Sequence, residues 1–224
     1  PIRRGRKEAH TAPIPTRFDG LFEWIGLTMN FEFSEEEEVT RDLAGQILGD
    51  GASFDRTREI EAIPNGSGFD ENLWSQLAES NLIGLSIGEA MGGQGFSFLA
   101  LCLMLEEAGR NLAPIPLLET VVYAALPIER FGSDELKKDL LPKVIAGKAI
   151  LTAAFFEIGG PALSRKTRTR ATAKGNGFLL SGEKVCVPYA AVAEKILVGA
   201  NGDEGLGLFL VSPSASGGSL EPPE

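Results

Sequence analysis

The feature that most limits what this chain can fold into is a change of texture near Lys148. Before it, apolar residues recur at helical spacing between capping signals; after it, they gather into short β-prone runs separated by glycine-rich turns. The expected fold class is therefore α+β, with an all-α N-terminal helical domain over residues 29–147 followed by a β domain over 148–224.

In the helical part, Ser34 with Glu37 forms a capping-box pattern, and Glu35 to Glu38 place negative charge on a first turn, which predicts a helix over about 34–48. That helix start accounts for the acidic run without a metal site. Pro64, Asn65, Gly66 and Gly68 mark 60–69 as a loop, after which Asp70 caps a short helix with Leu73, Trp74, Leu77 and Ala78 on one face. The apolar piece 82–87 ends in the turn Gly88 to Gly95, whose spacing does not match the dinucleotide-binding pattern GxGxxG. A largely buried helix is predicted over 96–109, another through Leu118 to Leu126, and a third over 134–141 capped by Ser133, with Pro142 opening a last helical turn that ends at Gly147.

Five runs follow, at 149–156, 168–173, 178–187, 195–200 and 206–211, with hairpin-turn signals at 174–177 and 201–205. They predict an incomplete antiparallel β-barrel or sandwich-like domain with an open edge, and hence a truncated product. Residues 1–28 show no sustained period and are read as an unstructured, non-native leader, with Met29 as the true start.

Composition excludes several functions. A formal net charge of −10 does not suit a general nucleic-acid binder. Arg165, Lys166, Arg168 and Arg170 form a local cluster read as a solvated strand face, with a phosphate contact as the alternative. Cys102 and Cys186 have no metal-ligand or disulfide spacing, and His10, the one histidine, lies in the leader. No apolar run approaches the ~20 residues a membrane span needs, and the expected compartment is cytoplasmic.

The order of these parts resembles the acyl-CoA dehydrogenase family, on the strength of Gly92-Gly93-Gln94-Gly95, Leu105-Glu106-Glu107-Ala108-Gly109-Arg110, Arg130-Phe131-Gly132-Ser133-Asp134-Glu135 and the hairpin Asn176 to Lys184. Residues 109–118 and 184–190 are similar to the subgroup associated with steroid side-chain degradation, whose members often assemble as heterotetramers. The resemblance implies FAD as cofactor, an acyl-CoA substrate, an electron-transfer acceptor, and a homo- or heterotetramer with related subunits. It implies a C-terminal four-helix domain, missing here, that holds the glutamate base removing the α proton while the β hydrogen leaves as hydride to the flavin. No catalytic residue is therefore assigned within this chain, and its partner-subunit role is the alternative to activity of its own.

By the same resemblance, the cofactor-binding positions are Phe155, Phe156, Glu157, Ala162, Cys186 and Pro188, and Met91, Phe96, Leu99 and Leu103 are expected to line an acyl pocket. Core packing accounts for the latter four equally well. Glu157 matches the family's pattern. Phe156 stands where a threonine is usual, 161–163 read Pro-Ala-Leu in place of Gly-Ser-Asp, and 186–188 replace an aromatic residue and a threonine, which removes hydroxyl donors and a stacking ring.

Overall fold

Capping decides where the helices begin. In the computed structural model, which describes residues 32–63, 66–160, 167–175 and 177–221, α1 (Glu35–Gly51) starts at a reciprocal capping box: Ser34 Oγ accepts from the Glu37 amide at 3.2 Å and Glu37 Oε2 from the Ser34 amide at 2.9 Å. The predicted leader, with Met29 and His10, and the turn residues Pro64 and Asn65 lie outside the described residues. A second helix, α2 (Phe54–Glu61), stands where no helix was expected. Ser53 caps it, but Ile60 is its one buried residue, so an apolar stripe never forms in the sequence.

The start of α3 (Glu71–Glu79) is built on a buried carboxylate. Asp70 Oδ1 accepts from the amides of Asn72 and Leu73 at 3.0 and 3.1 Å, while Oδ2 takes the Arg56 Nε hydrogen at 2.7 Å. Burial opposes ionisation of Asp70, but the Arg56 guanidinium and the two amides outweigh it, and its pKa lies below the usual carboxylate range. Asp70→Ala is expected to cost about 2 kcal/mol in urea unfolding, since it removes a cap and the hydrogen-bonded partner of Arg56, and Asp70→Asn to cost less because the cap acceptor survives.

The segment 82–97 forms a run of turns, and α4 (Phe98–Arg110) follows, capped by Ser97, whose hydroxyl also donates to Glu37 Oε1 at 2.8 Å and so ties α4 to α1. A π-helical segment (Leu118–Ala125) passes directly into α5 (Leu126–Phe131). Helix α6 (Asp134–Ile145) runs through Pro142 without interruption, so the expected separate last turn is part of one helix.

The strands are β1 (Leu151–Ala154), β2 (Arg170–Lys174), β3 (Gly177–Ser181), β4 (Lys195–Gly202) and β5 (Gly205–Val211). Both predicted hairpins form, with Lys174 opposite Gly177 and Gly202 opposite Gly205. The sheet is nevertheless mixed, not purely antiparallel, and it is not a closed barrel: β1 pairs β4 in parallel from Leu151/Lys195 to Ala154/Val198, and Arg170 of β2 makes a parallel bridge to Asn201. Parallel neighbours need a long crossover, and 155–194 supplies it. Strand β3 stops at Ser181 and does not reach Val187; the next residue, Gly182, lies so close to Thr169 that a Cβ there would sit 2.6 Å from the Thr169 hydroxyl oxygen.

One hydrophobic core runs from the helices into the sheet, through Leu48, Leu73, Leu77, Ile83, Leu101, Met104, Leu117, Leu140, Leu141 and Leu151. Two polar links cross it: Trp74 Nε1 donates to the Gly147 carbonyl at 3.0 Å at its part-buried margin, and the buried Thr120 hydroxyl donates to the Leu151 carbonyl at 3.0 Å. No helix among the described residues is long and apolar enough to cross a membrane.

Candidate functional site

The crossover 155–194 carries most of the chemistry. At its start, the Phe156 carbonyl accepts from the Val185 amide at 3.1 Å, so residues 155–157 and 184–188 lie side by side. The bridge thus sets Phe155, Phe156 and Glu157 beside the start of the segment that carries Cys186 and Pro188; Ala162 lies outside the described residues.

Glu157 is fully occupied by its own chain. Its Oε1 accepts from Lys184 Nζ at 2.8 Å, from the Thr169 hydroxyl at 2.6 Å, from the Thr169 amide at 3.0 Å and from the Thr167 hydroxyl, while Oε2 accepts from the Arg168 amide at 2.6 Å. Lys184 also donates to Thr167 Oγ1 at 2.8 Å. The two charged side chains are 9% and 10% exposed, so this is a nearly buried ion pair. Burial alone would raise the Glu157 pKa; the bonds from Lys184, Thr167, Thr169 and the Arg168 amide outweigh it and hold the carboxyl far below its ordinary range. Glu157 therefore organises the crossover and has no proton to exchange near neutral pH.

Beside this knot, flanked by the exposed Arg168 and Glu183, stand several aromatic and aliphatic side chains. Phe156 is 37% exposed, Ile158 is exposed, and Phe155 packs edge-on against Tyr123 at 6.3 Å. Cys186 is exposed and Tyr189 partly buried, and both adopt positive φ, +53° and +55°, in a tight double bend around Pro188. Tyr189 packs edge-on against Phe69 at 6.2 Å, and burial, with the nearby Glu119 carboxylate, pushes its pKa up to about 12. Glu119, second residue of the π-helical segment, has its own pKa raised by burial. Sequence reading did not single out Glu119, Tyr123, Thr167, Thr169 or Tyr189, since contacts between distant segments have no local pattern; Lys184, within the hairpin motif, was visible without its partner.

A flavin ring needs flat apolar contact and several hydrogen-bond donors at its polar edge. Phe155 and Phe156 offer the first. The second is missing from the side chains at these positions: Glu157 is committed, Pro188 has no N–H, and Cys186 is a weak donor. The Thr152 hydroxyl, the one buried side-chain oxygen without a partner among the described residues, is fully enclosed in β1 and out of a ligand's reach. These residues do not by themselves fit the cofactor.

The predicted acyl-pocket positions divide. Met91 and Phe96 are partly buried against the core, Leu103 is buried, and Leu99 is exposed one turn before it on α4.

A helical domain followed by a partial mixed sheet agrees with what comparison with known proteins finds: residues 34–148 match the acyl-CoA dehydrogenase, N-terminal domain, and the chain belongs to the acyl-CoA dehydrogenase family of flavoprotein oxidoreductases. Among curated relatives, it is 32% identical over 191 residues to acyl-CoA dehydrogenase FadE27 of Mycobacterium tuberculosis, covering 84% of this chain and 49% of that protein. Among solved structures, it is similar to a variant of the Tcur3481–Tcur3483 steroid ACAD (43% identity, TM-score 0.76, 82% of this chain and 49% of that one). It is also similar to the ChsE4–ChsE5 complex of Mycobacterium tuberculosis (32% identity, TM-score 0.76, 84% of this chain and 50% of that one). The chain spans about half the length of the relatives it matches.

Proposed function

We propose that the protein to which this chain belongs takes part in flavin-dependent α,β-dehydrogenation of an acyl-CoA, and that it does so as one subunit of a heteromeric dehydrogenase whose flavin is held largely by groups outside this chain. Membership in the family and similarity to the Tcur3481–Tcur3483 steroid ACAD and the ChsE4–ChsE5 complex support the reaction and the assembly. The observation that carries the subunit role is the donor set at 155–157 and 186–188: aromatic walls, a committed carboxylate and no free hydroxyl. The residues of this chain would build one apolar wall of the site and fix its shape, with Glu157 and Lys184 holding that wall and Met91 and Phe96 placed for acyl contact. No base for the α proton is assigned among the described residues.

The test is co-expression. The full-length protein purified alone is expected to be colourless and to stay so with added FAD, and to carry visible flavin absorbance and oxidise acyl-CoA when made with a dehydrogenase subunit encoded beside it. A stoichiometric flavin on the isolated protein would remove the partner role; failure of every such partner to bring flavin or activity would remove the reaction.

A further inference from the structure

We propose that Asn201 is a positioning residue of the candidate site: acting through Thr167, it fixes the Glu157–Lys184 pair, and with it the contact between Phe156 and Val185, to the end of β4. An asparagine before a glycine at a strand end reads as a turn residue, and a turn asparagine bonds its own backbone about two residues on. The Asn201 side chain reaches elsewhere. Its Nδ2 donates at 2.6 Å to the carbonyl of Thr167, thirty-four residues earlier, and its backbone amide donates to the Thr169 carbonyl at 2.8 Å. A carbonyl only accepts, so the side chain must present its NH2 group there. Among the described residues no other strand side chain bonds to 167–169.

Segment 167–169 stands as a splint between β4 and the knot. On the side away from Asn201, Thr167 Oγ1 donates to Glu157 Oε1 and accepts from Lys184 Nζ at 2.8 Å. The Arg168 amide donates to Glu157 Oε2 at 2.6 Å, and Thr169 gives Glu157 Oε1 its amide at 3.0 Å and its hydroxyl at 2.6 Å. Gly182 closes a third side, since a Cβ there would lie 2.6 Å from Thr169 Oγ1 and 2.7 Å from Thr169 Cα. Thr167 is thus the residue whose carbonyl is held by the sheet and whose hydroxyl touches both members of the ion pair. Glu157 and Lys184 in turn stand next to Phe156 and Val185, whose carbonyl and amide form the bridge at 3.1 Å. Asn201 bonds to neither Glu157 nor Lys184, so its hold on the bridge runs through the splint. For its bearing on turnover the inference rests on the reading of 155–157 and 184–188 as a wall of the dehydrogenase site, whereas the latch is measurable without flavin or substrate.

Two variants of the full-length protein test it. Asn201→Ala removes the donor, and Asn201→Asp keeps the size but faces the Thr167 carbonyl with a second acceptor. Hydrogen exchange of the Val185 amide is taken as a ratio to the amides of α4, which report global opening. In both variants this ratio is expected to rise about tenfold or more over wild type. Lys184→Met is expected to raise it too, and adding Asn201→Ala to Lys184→Met to raise it little further, since both changes release the same knot. In the co-expressed assembly, Asn201→Ala is expected to lower kcat/KM for acyl-CoA by about tenfold or more. A Val185 ratio unchanged in both variants, with loosening confined to the β4–β5 hairpin, overturns the proposal. So do effects of Asn201→Ala and Lys184→Met that simply multiply, or a wild-type kcat/KM in an Asn201→Ala assembly whose Val185 exchanges fast. A wild-type assembly without flavin or activity counts against the dehydrogenase reading instead, and the exchange ratio then decides the latch by itself.

Discussion

Gly93→Ala is expected to lose at least about 3 kcal/mol of stability, enough to leave much of the protein unfolded at ambient temperature. A Cβ at position 93 would lie 2.0 Å from the Ile87 carbonyl oxygen, 2.6 Å from its carbon and 2.7 Å from the Gly84 oxygen. These are backbone atoms that no rotamer change can move. The turn is folded back on 84–87 by a ladder in which Gln94 donates to Gly84 at 3.1 Å, Gly95 to Ile87 at 2.9 Å and Phe96 to Leu85 at 2.9 Å. To admit a methyl group these bonds must open together. The neighbouring Gly92 is the control: its φ of +91° strains any side chain, but nothing lies within 4 Å of the added Cβ, so Gly92→Ala is expected to cost about 1 kcal/mol. Urea unfolding of the two variants against wild type checks both values. Equal losses would mean that backbone conformation, not close approach, makes this turn need glycine.

That turn also shows which parts of the fold were legible in the residues. The Gly92-Gly93-Gln94-Gly95 run marks a close backbone approach but not its partner, because Gly84 and Ile87 are identified only once the chain has folded back. Helix starts at Ser34, Asp70 and Ser133 were legible, since an N-cap acts on amides two or three residues away. Helix α2 was not, because a surface helix with one buried residue has no stripe to read. The hairpins β2–β3 and β4–β5 were legible from their turns, while the parallel β1–β4 pairing, set by a forty-residue crossover, was not.

The candidate site divides in the same way. The family pattern points to Glu157, and the structure keeps it at the start of the crossover, but as an acceptor for Lys184, Thr167, Thr169 and the Arg168 amide. Sequence spacing could not foresee that, since Lys184 stands twenty-seven residues on. Tyr189 was equally hidden: it is a tyrosine after a proline, and only the fold sets its ring against Phe69.

Lys184→Met tests the knot directly, and its cost is expected to be about 3 kcal/mol. The methionine keeps most of the apolar stem, so packing is nearly preserved and the loss is electrostatic. It leaves Glu157 enclosed with hydroxyl and amide donors but no cation, and removing one partner of a buried pair costs more than the pair itself contributes. For a domain of this size such a loss lowers the melting temperature by ~6–12 °C. The pH dependence supplies an independent check. In wild type the depressed Glu157 carboxyl contributes stability above about pH 4.3, the unfolded glutamate value, and that contribution disappears as pH falls through the folded one. Without Lys184 the folded pKa moves back up toward the unfolded value, so the contribution shrinks and the acid-unfolding midpoint shifts to higher pH. Adding Glu157→Gln to Lys184→Met removes the stranded charge and is expected to recover part of the loss, giving a coupling between the two sites of 1 kcal/mol or more, roughly. If the single variant unfolds in acid at the same pH as wild type, and the double variant shows no recovery, then the hydroxyls and amides around Glu157 hold the crossover without the ion pair.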